Sequence, residues 1–382
     1  MIDNLFFDSK ILPVIRLGLN LDVDSDHKIS LSDSELEDLL YFSTKQSILP
    51  ITIKGLHRLN RQYQINNEYL KKNAKCVHQF VLQETAIKTL RKILDKHSIP
   101  YILLKGAVIR DLYPEKELRT CCDVDILVHH EDLNKAIDYI EKESDFKTKE
   151  TGYHDISMVN KYVHLELHFS VKVNSENLDA RLEKAWDHSF NTNEGCKFDF
   201  SSEFQVFYII SHMCHHFLMG GLGVRPFIDL WYLRNKTSYD ENKVLELCDN
   251  CSISKFYKEC VHLSEVWFES KVHTNTTIML EKAVLCGGVY GSRDFGYAVR
   301  QSNSHGIKYI FKRFFPPSYQ VREFYEDMTE KRHSIIYLYF LRLKSWFQKD
   351  RRKELKKQFD GILSVDKKQL EFTDELLNEL GL

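Results

Sequence analysis

Between His97 and Phe169 the hydrophobic period of this chain changes, and that change constrains its fold more than any other feature. Upstream, apolar residues recur at helical spacing. Ser32-Asp33-Ser34-Glu35 has the hydroxyl-then-carboxylate spacing of a capping box, followed by Leu36, Leu39, Leu40 and Phe42. From about Glu84 to His97, Ala86, Leu90, Ile93 and Leu94 form one stripe. After Pro100 the pattern shortens. Tyr101-Ile102-Leu103-Leu104, closed by Gly106, has the form of a buried strand, and Ala107 to Tyr113 suits a short helix. Asp123–Val128 predicts a second strand, Leu133–Ile140 an amphipathic helix, and Ile156–Val159 and Tyr162–Phe169 two more strands. From about Asn177 the helical period returns, clearest in Phe204–Met219, Phe227–Arg234 and Val261–Phe268. The expected fold class is α+β: an N-terminal helical region (1–78), a small α/β core with a mixed sheet (79–176) and a C-terminal helical domain (177–382).

Composition narrows the function classes. Of 382 residues, 43% are hydrophobic and 28% charged, which excludes a wholly disordered chain. The net charge of −2 provides no global field for a nucleic-acid partner. Nine cysteines, mostly single, match neither a zinc ribbon nor an even disulfide framework and suit a reducing compartment. The first residues lack a basic stretch followed by an apolar run, so no signal peptide is expected. The longest apolar run, Ile335–Leu341, falls short of the ~18–20 residues that span a bilayer. A soluble cytoplasmic protein is the expectation.

The residues that carry chemistry lie where the period changes. Asp123 and Asp125 are two apart on an expected strand, so both carboxylates point the same way. Like charges held side by side are costly unless a cation offsets them, and a hard divalent ion suits such an oxygen site. As a bare pair they also suit a solvated turn at a strand start. Glu166 changes the balance. It alternates with Val163, Leu165 and Leu167, on a strand whose other face is core. Lys105-Gly106 closes the preceding strand, where a glycine lets backbone amides approach a phosphate.

On Leu103-Leu104-Lys105-Gly106-Ala107, Arg119 through Val128, and Leu165-Glu166-Leu167-His168, the chain resembles the polymerase-β-type nucleotidyltransferases, in particular their largely uncharacterised bacterial branch. The resemblance extends to His212-Met213-Cys214-His215-His216, Arg225 through Leu230, and Phe314-Phe315-Pro316-Pro317. It implies a polymerase-β-like core in which Asp123 and Asp125 hold Mg²⁺ (or Mn²⁺) and Glu166 completes the metal site or assists the acceptor hydroxyl. It further implies that Gly106, followed by Ala107, forms the phosphate-holding turn, and on chemical grounds Lys105, Arg110 and Arg119 are candidate triphosphate contacts. The implied reaction moves a nucleoside monophosphate from a nucleoside triphosphate, ATP first among them, to a hydroxyl of an acceptor, releasing pyrophosphate. The sequence departs from the wider pattern in having Ala107 where a serine is usual, and in a long Gly-to-Asp spacing. Those departures support the alternative of a catalytically inactive nucleotide-binding protein of the same fold.

Other clusters have two readings each. His164, Glu166 and His168 alternate on one face, as zinc ligands or with His168 supporting the carboxylates. His212, His215 and His216 share one helical face, either as metal ligands with a fourth partner from elsewhere or as packed histidines at the mouth of the site, where they could belong to an acceptor pocket. Gly220-Gly221-Leu222-Gly223 follows a helix and reads as a cap and loop. Arg225 and Asp229 are spaced to pair along a helix, or else to face the cleft. Residues 337–357 mix aromatic and basic side chains, ahead of an acidic tail. They suit a solvated basic face, or else contact with a membrane surface or polyanion.

Overall fold

The computed structural model describes residues 4–23, 29–59, 63–152, 154–173, 175–302, 318, 321, 334–345 and 365–382. Phe314–Pro317 and residues 346–357 of the aromatic and basic stretch 337–357 lie outside the described residues. The protein is a mixed α/β structure. Seven strands form one sheet: β1 (Tyr101–Leu103), β2 (Asp123–Val128), β3 (Lys147–Thr151), β4 (Asp155–Val159), β5 (His164–His168), β6 (Ser189–Asn191) and β7 (Lys197–Phe200). Their order across the sheet is β3-β4-β5-β2-β1-β7-β6. β2 runs parallel to β5 and antiparallel to β1, which places both acidic strands near the middle.

Strand alternation divides the interior in two. Val124, Ile126 and Val128 of β2 join Leu165 and Leu167 of β5 on one face. There they pack on Ala86, Ile87 and Leu90 of the helix Asn67–Lys96 and on Ala136 and Ile140 of the helix Leu133–Glu143. The opposite face sends Ile102 and Leu127 into a larger core. That core is built by the helices Ser202–Met219, Arg225–Lys236 and Ser254–Glu269 and by the N-terminal helices Leu12–Gly18, Asp33–Lys45 and Leu49–Arg58. The Asp33–Lys45 helix opens on a formed capping box: Ser32 Oγ accepts from the Glu35 amide at 3.3 Å, and Glu35 accepts from the Ser32 amide at 2.7 Å.

Two departures from the sequence reading have local causes. Lys147–Thr151 is exposed along its whole length, so no apolar alternation marks it as a strand. β6 and β7 interrupt the expected helical region, and of them only Phe200 is buried. Their sheet membership comes from backbone pairing of β7 with β1, a long-range contact that no local pattern announces.

A glycine-rich contact shapes one wall of a cleft above the sheet. The helix Ser202–Met219 stops at Gly220, whose carbonyl accepts from the Ser292 amide at 2.7 Å. Gly291, at φ 71°, lies so close that a Cβ there would collide with the Gly220 carbonyl. Beside this contact Val289 and Tyr290 line the cleft, the Tyr290 ring 5.2 Å from that of His216.

Within the helical core, Glu281 is 1% exposed and accepts from Trp267 Nε1 at 2.7 Å and from Asn4 Nδ2. Burial pushes its pKa up from 4.5 to about 7. Because the folded value is the higher one, the fold favours the protonated acid. That contribution is complete below about pH 4.5 and is lost as pH rises through about 7. Glu281→Gln should therefore flatten the fall in melting temperature between pH 5 and 7.5 relative to wild type, measured by thermal scans at matched salt.

Candidate active site

Parallel pairing of β2 with β5 sets Asp123 opposite His164 and Asp125 opposite Glu166. All four side chains therefore share one sheet face, the one turned to the C-terminal helices. Ligand-type atoms of Asp123, His164 and Glu166 lie within 4.8 Å of one another, and those of Asp125, Glu166 and His168 form a second such group. Glu166 is common to both. His164 and His168 are four residues apart on an extended strand, about 13 Å, so they cannot close on one zinc ion. Each instead stands beside a different aspartate. His164 is also hydrogen-bonded to Ser157 Oγ at 2.7 Å.

Charge in this group is unequally distributed. Asp125 is 4% exposed; Lys105 Nζ and His168 Nε2 both donate to its Oδ1 at 2.9 Å. Burial raises its pKa, but the Lys105 charge and the His168 bond outweigh that and hold it well below the usual carboxylate range. Asp123 lacks those partners. Burial, then the Asp125 and Glu166 charges, raise its pKa. Burial would lower the pKa of His168, yet its bonds to Asp125 and Glu166 raise it. His168 Nδ1 is buried with no hydrogen-bond partner.

The turn after β1 delivers Lys105. Its backbone sits at φ 44°, ψ −115°, a conformation that costs a non-glycine residue about 1–3 kcal/mol. Gly106 follows because nothing larger fits: a Cβ there would collide with Cys121 Sγ and meet Arg119 Nη1. The Ala107 amide is committed to the Leu104 carbonyl, and Ala107 packs against the sheet core beneath the site.

The structure does not bring Arg110 into the cleft. It is 1% exposed, and its guanidinium donates to Gly106 O, Glu84, Gln83 and Cys121 Sγ. It braces the turn from behind. Arg119 reaches the cleft wall, but its Nε and Nη2 clasp Asp229 at 3.2 and 2.7 Å and its Nη1 donates to Cys121 Sγ at 2.8 Å. Tyr113 donates a further bond to Asp229 at 2.7 Å. Asp229 thus pairs with Arg119 and not with Arg225, whose Nη1 donates instead to Thr120 O at 3.2 Å.

These groups floor a cleft of about 350 Å³ between the sheet and the helix Ser202–Met219. His212, His215 and His216 line its opposite wall, with His212 and His216 ring centroids 4.3 Å apart. Burial lowers the pKa of all three, that of His212 far below the ordinary value and that of His216 to about 4, so this wall is uncharged near neutrality. The cleft also takes in Tyr208, His154, Cys121 and Lys172, which sequence reasoning missed. Tyr208 stands one helical turn before His212, a signal present in the sequence. His154 and Lys172 arrive from loops flanking the sheet and left none.

The donor set fits a hard divalent cation. Three carboxylates on one face supply oxygen ligands, and two overlapping groups share Glu166. Asp123, Asp125 and Glu166 are the residues that would hold such an ion.

A family model described as an uncharacterised nucleotidyltransferase matches residues 32–269, a span that includes the whole sheet and the helix Ser202–Met219. No curated protein matches the chain.

Asp229→Ala would leave Arg119 buried without its carboxylate and Tyr113 without its acceptor. Removing one partner of a buried pair is expected to cost about 3–5 kcal/mol. The loss should appear as a lowered urea midpoint, with Asp229→Asn falling between the two.

Proposed function

The chain belongs to the uncharacterised nucleotidyltransferase family, and from that premise we propose that its cleft transfers a nucleoside monophosphate from a nucleoside triphosphate, ATP first among them, to a hydroxyl of an acceptor. The acceptor oxygen attacks the α-phosphorus, the bond to the bridging oxygen breaks, and pyrophosphate leaves. The observation that carries this reading is the β2–β5 register, which sets Asp125 opposite Glu166 with Asp123 on the same face.

Mg²⁺ or Mn²⁺ held by Asp123, Asp125 and Glu166 would supply charge stabilisation to the triphosphate and its leaving group. The chain's own groups do the rest. Glu166, partly exposed beside Asp123, takes the proton from the acceptor hydroxyl. Lys105 offers an ammonium at the same floor, where negative charge collects on the phosphate oxygens. Arg119 and Arg110 keep the Gly106 turn in place; Gly106 and Ala107 serve by close packing rather than by a hydroxyl. His168 orients Asp125, and the uncharged His212, His215 and His216 bind the neutral, hydroxyl-bearing part of a ligand.

Pyrophosphate release with ATP, a divalent salt and a panel of hydroxyl acceptors tests the proposal. Asp125→Asn should lose at least ~100-fold in turnover while retaining its fold by circular dichroism. Chelation should abolish release, and added Mg²⁺ or Mn²⁺ should restore it. Turnover that survives either treatment would exclude the mechanism.

A further inference from the structure

We propose that a second cavity beside the cleft is the acceptor subsite, and that it takes an acceptor bearing a carboxylate or phosphate on an apolar body. The inference rests on the nucleotidyl-transfer reading of the cleft. The cavity holds about 460 Å³, enough for a small molecule, and shares Arg119, Cys121, Cys122 and Arg225 with the cleft as a common wall.

The two cavities differ in charge. Asp123, Asp125, Glu166 and Asp229 line the cleft, where Lys105, Lys172, Arg119 and Arg225 balance them. The second cavity has no carboxylate in its lining, while Lys72, Lys75, Arg119 and Arg225 contribute positive charge. Two of those charges are already matched, Lys72 by Glu68 at 2.6 Å and Arg119 by Asp229 at 2.7 Å. Among the described residues, Lys75 and Arg225 have no carboxylate partner.

Arg225 is the telling group. It is 9% exposed, makes one hydrogen bond, from Nη1 to Thr120 O at 3.2 Å, and leaves its buried Nε without a partner. Buried guanidinium donors are ordinarily satisfied, and an anion at the shared wall would satisfy this one. Leu49, Pro50 and Phe80 offer the apolar surface behind it. The donor's polyphosphate belongs on the other side, where the carboxylates would hold it through a cation. An anion in the second cavity meets fixed cationic side chains directly.

Cys122 lies in the shared wall and is exposed; Cys286 is exposed and lines neither cavity. Both can be followed by peptide mapping after reaction with two disulfide reagents. One is 5,5′-dithiobis(2-nitrobenzoate), which carries a carboxylate on each ring; the other is neutral 4,4′-dithiodipyridine. The ratio of anionic to neutral reagent rates cancels intrinsic thiol reactivity. At low salt that ratio at Cys122 should exceed the ratio at Cys286 by about 5–10-fold. It should fall several-fold in Lys75→Glu and in Arg225→Gln, with the neutral-reagent rate unchanged. Asp125→Asn should leave the ratio unaltered, so the result stands apart from catalysis. Equal ratios at the two cysteines, or a ratio indifferent to Lys75→Glu, would overturn the anion-selecting subsite. Shielding from the neutral reagent by Mg-ATP of half-buried Cys76, which lines the second cavity and not the cleft, lost in Asp125→Asn, would assign the cavity to the donor and overturn its assignment to the acceptor.

Discussion

Three carboxylates on one face of a sheet repel one another, and the surrounding structure is organised by how that repulsion is offset. Asp125 bears the greatest burden because it is the most deeply buried of the three. Lys105 and His168 converge on a single one of its oxygens. In a low-dielectric setting such charge-assisted bonds are strong, and an unpaired carboxylate there would bind a proton instead. Asp123 and Glu166 are offset less completely. Their charge is left facing the cleft, which is what an incoming cation requires.

Holding Lys105 in that position has a chain of consequences. Its strained backbone is tolerated because the next residue is locked: Cys121 and Arg119 press on Gly106 so closely that no side chain fits. Arg119 is fixed by Asp229, from a helix more than a hundred residues away in sequence. Arg110 closes the turn from beneath. The acidic face of the sheet and the C-terminal helical layer are thereby joined through one buried ion pair, not merely through apolar packing. Residues that resemble phosphate contacts in sequence, Arg110 and Arg119, are largely consumed by this framework.

That difference explains what could be read from the sequence and what could not. Asp123 and Asp125 stand out because strand alternation is local, and β2 begins and ends where the sequence predicts. The capping box at Ser32 is legible for the same reason. The pairing of Asp125 with Glu166 depends on the parallel β2–β5 register, which is set by distant packing. Spacing alone could suggest a His164–Glu166–His168 ligand set, but an extended strand separates its two histidines. Arg225 and Asp229 invite pairing on helical spacing, yet a buried arginine from another segment competes for Asp229 at closer range and with two bonds. Strands β3, β6 and β7 escape notice because they bury almost nothing.

A charge gradient across the wall formed by Arg119, Cys121, Cys122 and Arg225 follows from the same constraint. The fold gathers its acids on the sheet face, so the cations that line the adjoining cavity come from other elements: the Asn67–Lys96 helix and the start of the helix Arg225–Lys236. Arg119 is neutralised in the course of holding the turn, whereas Arg225 is buried on the same wall without a carboxylate. A buried charge with an open donor is tolerated when something else is present to meet it. On the proposed reading, a cleft whose carboxylates and cations balance and a neighbouring cavity lined by cations alone would keep a metal-bound polyphosphate and an anionic acceptor apart until the hydroxyl reaches the phosphorus.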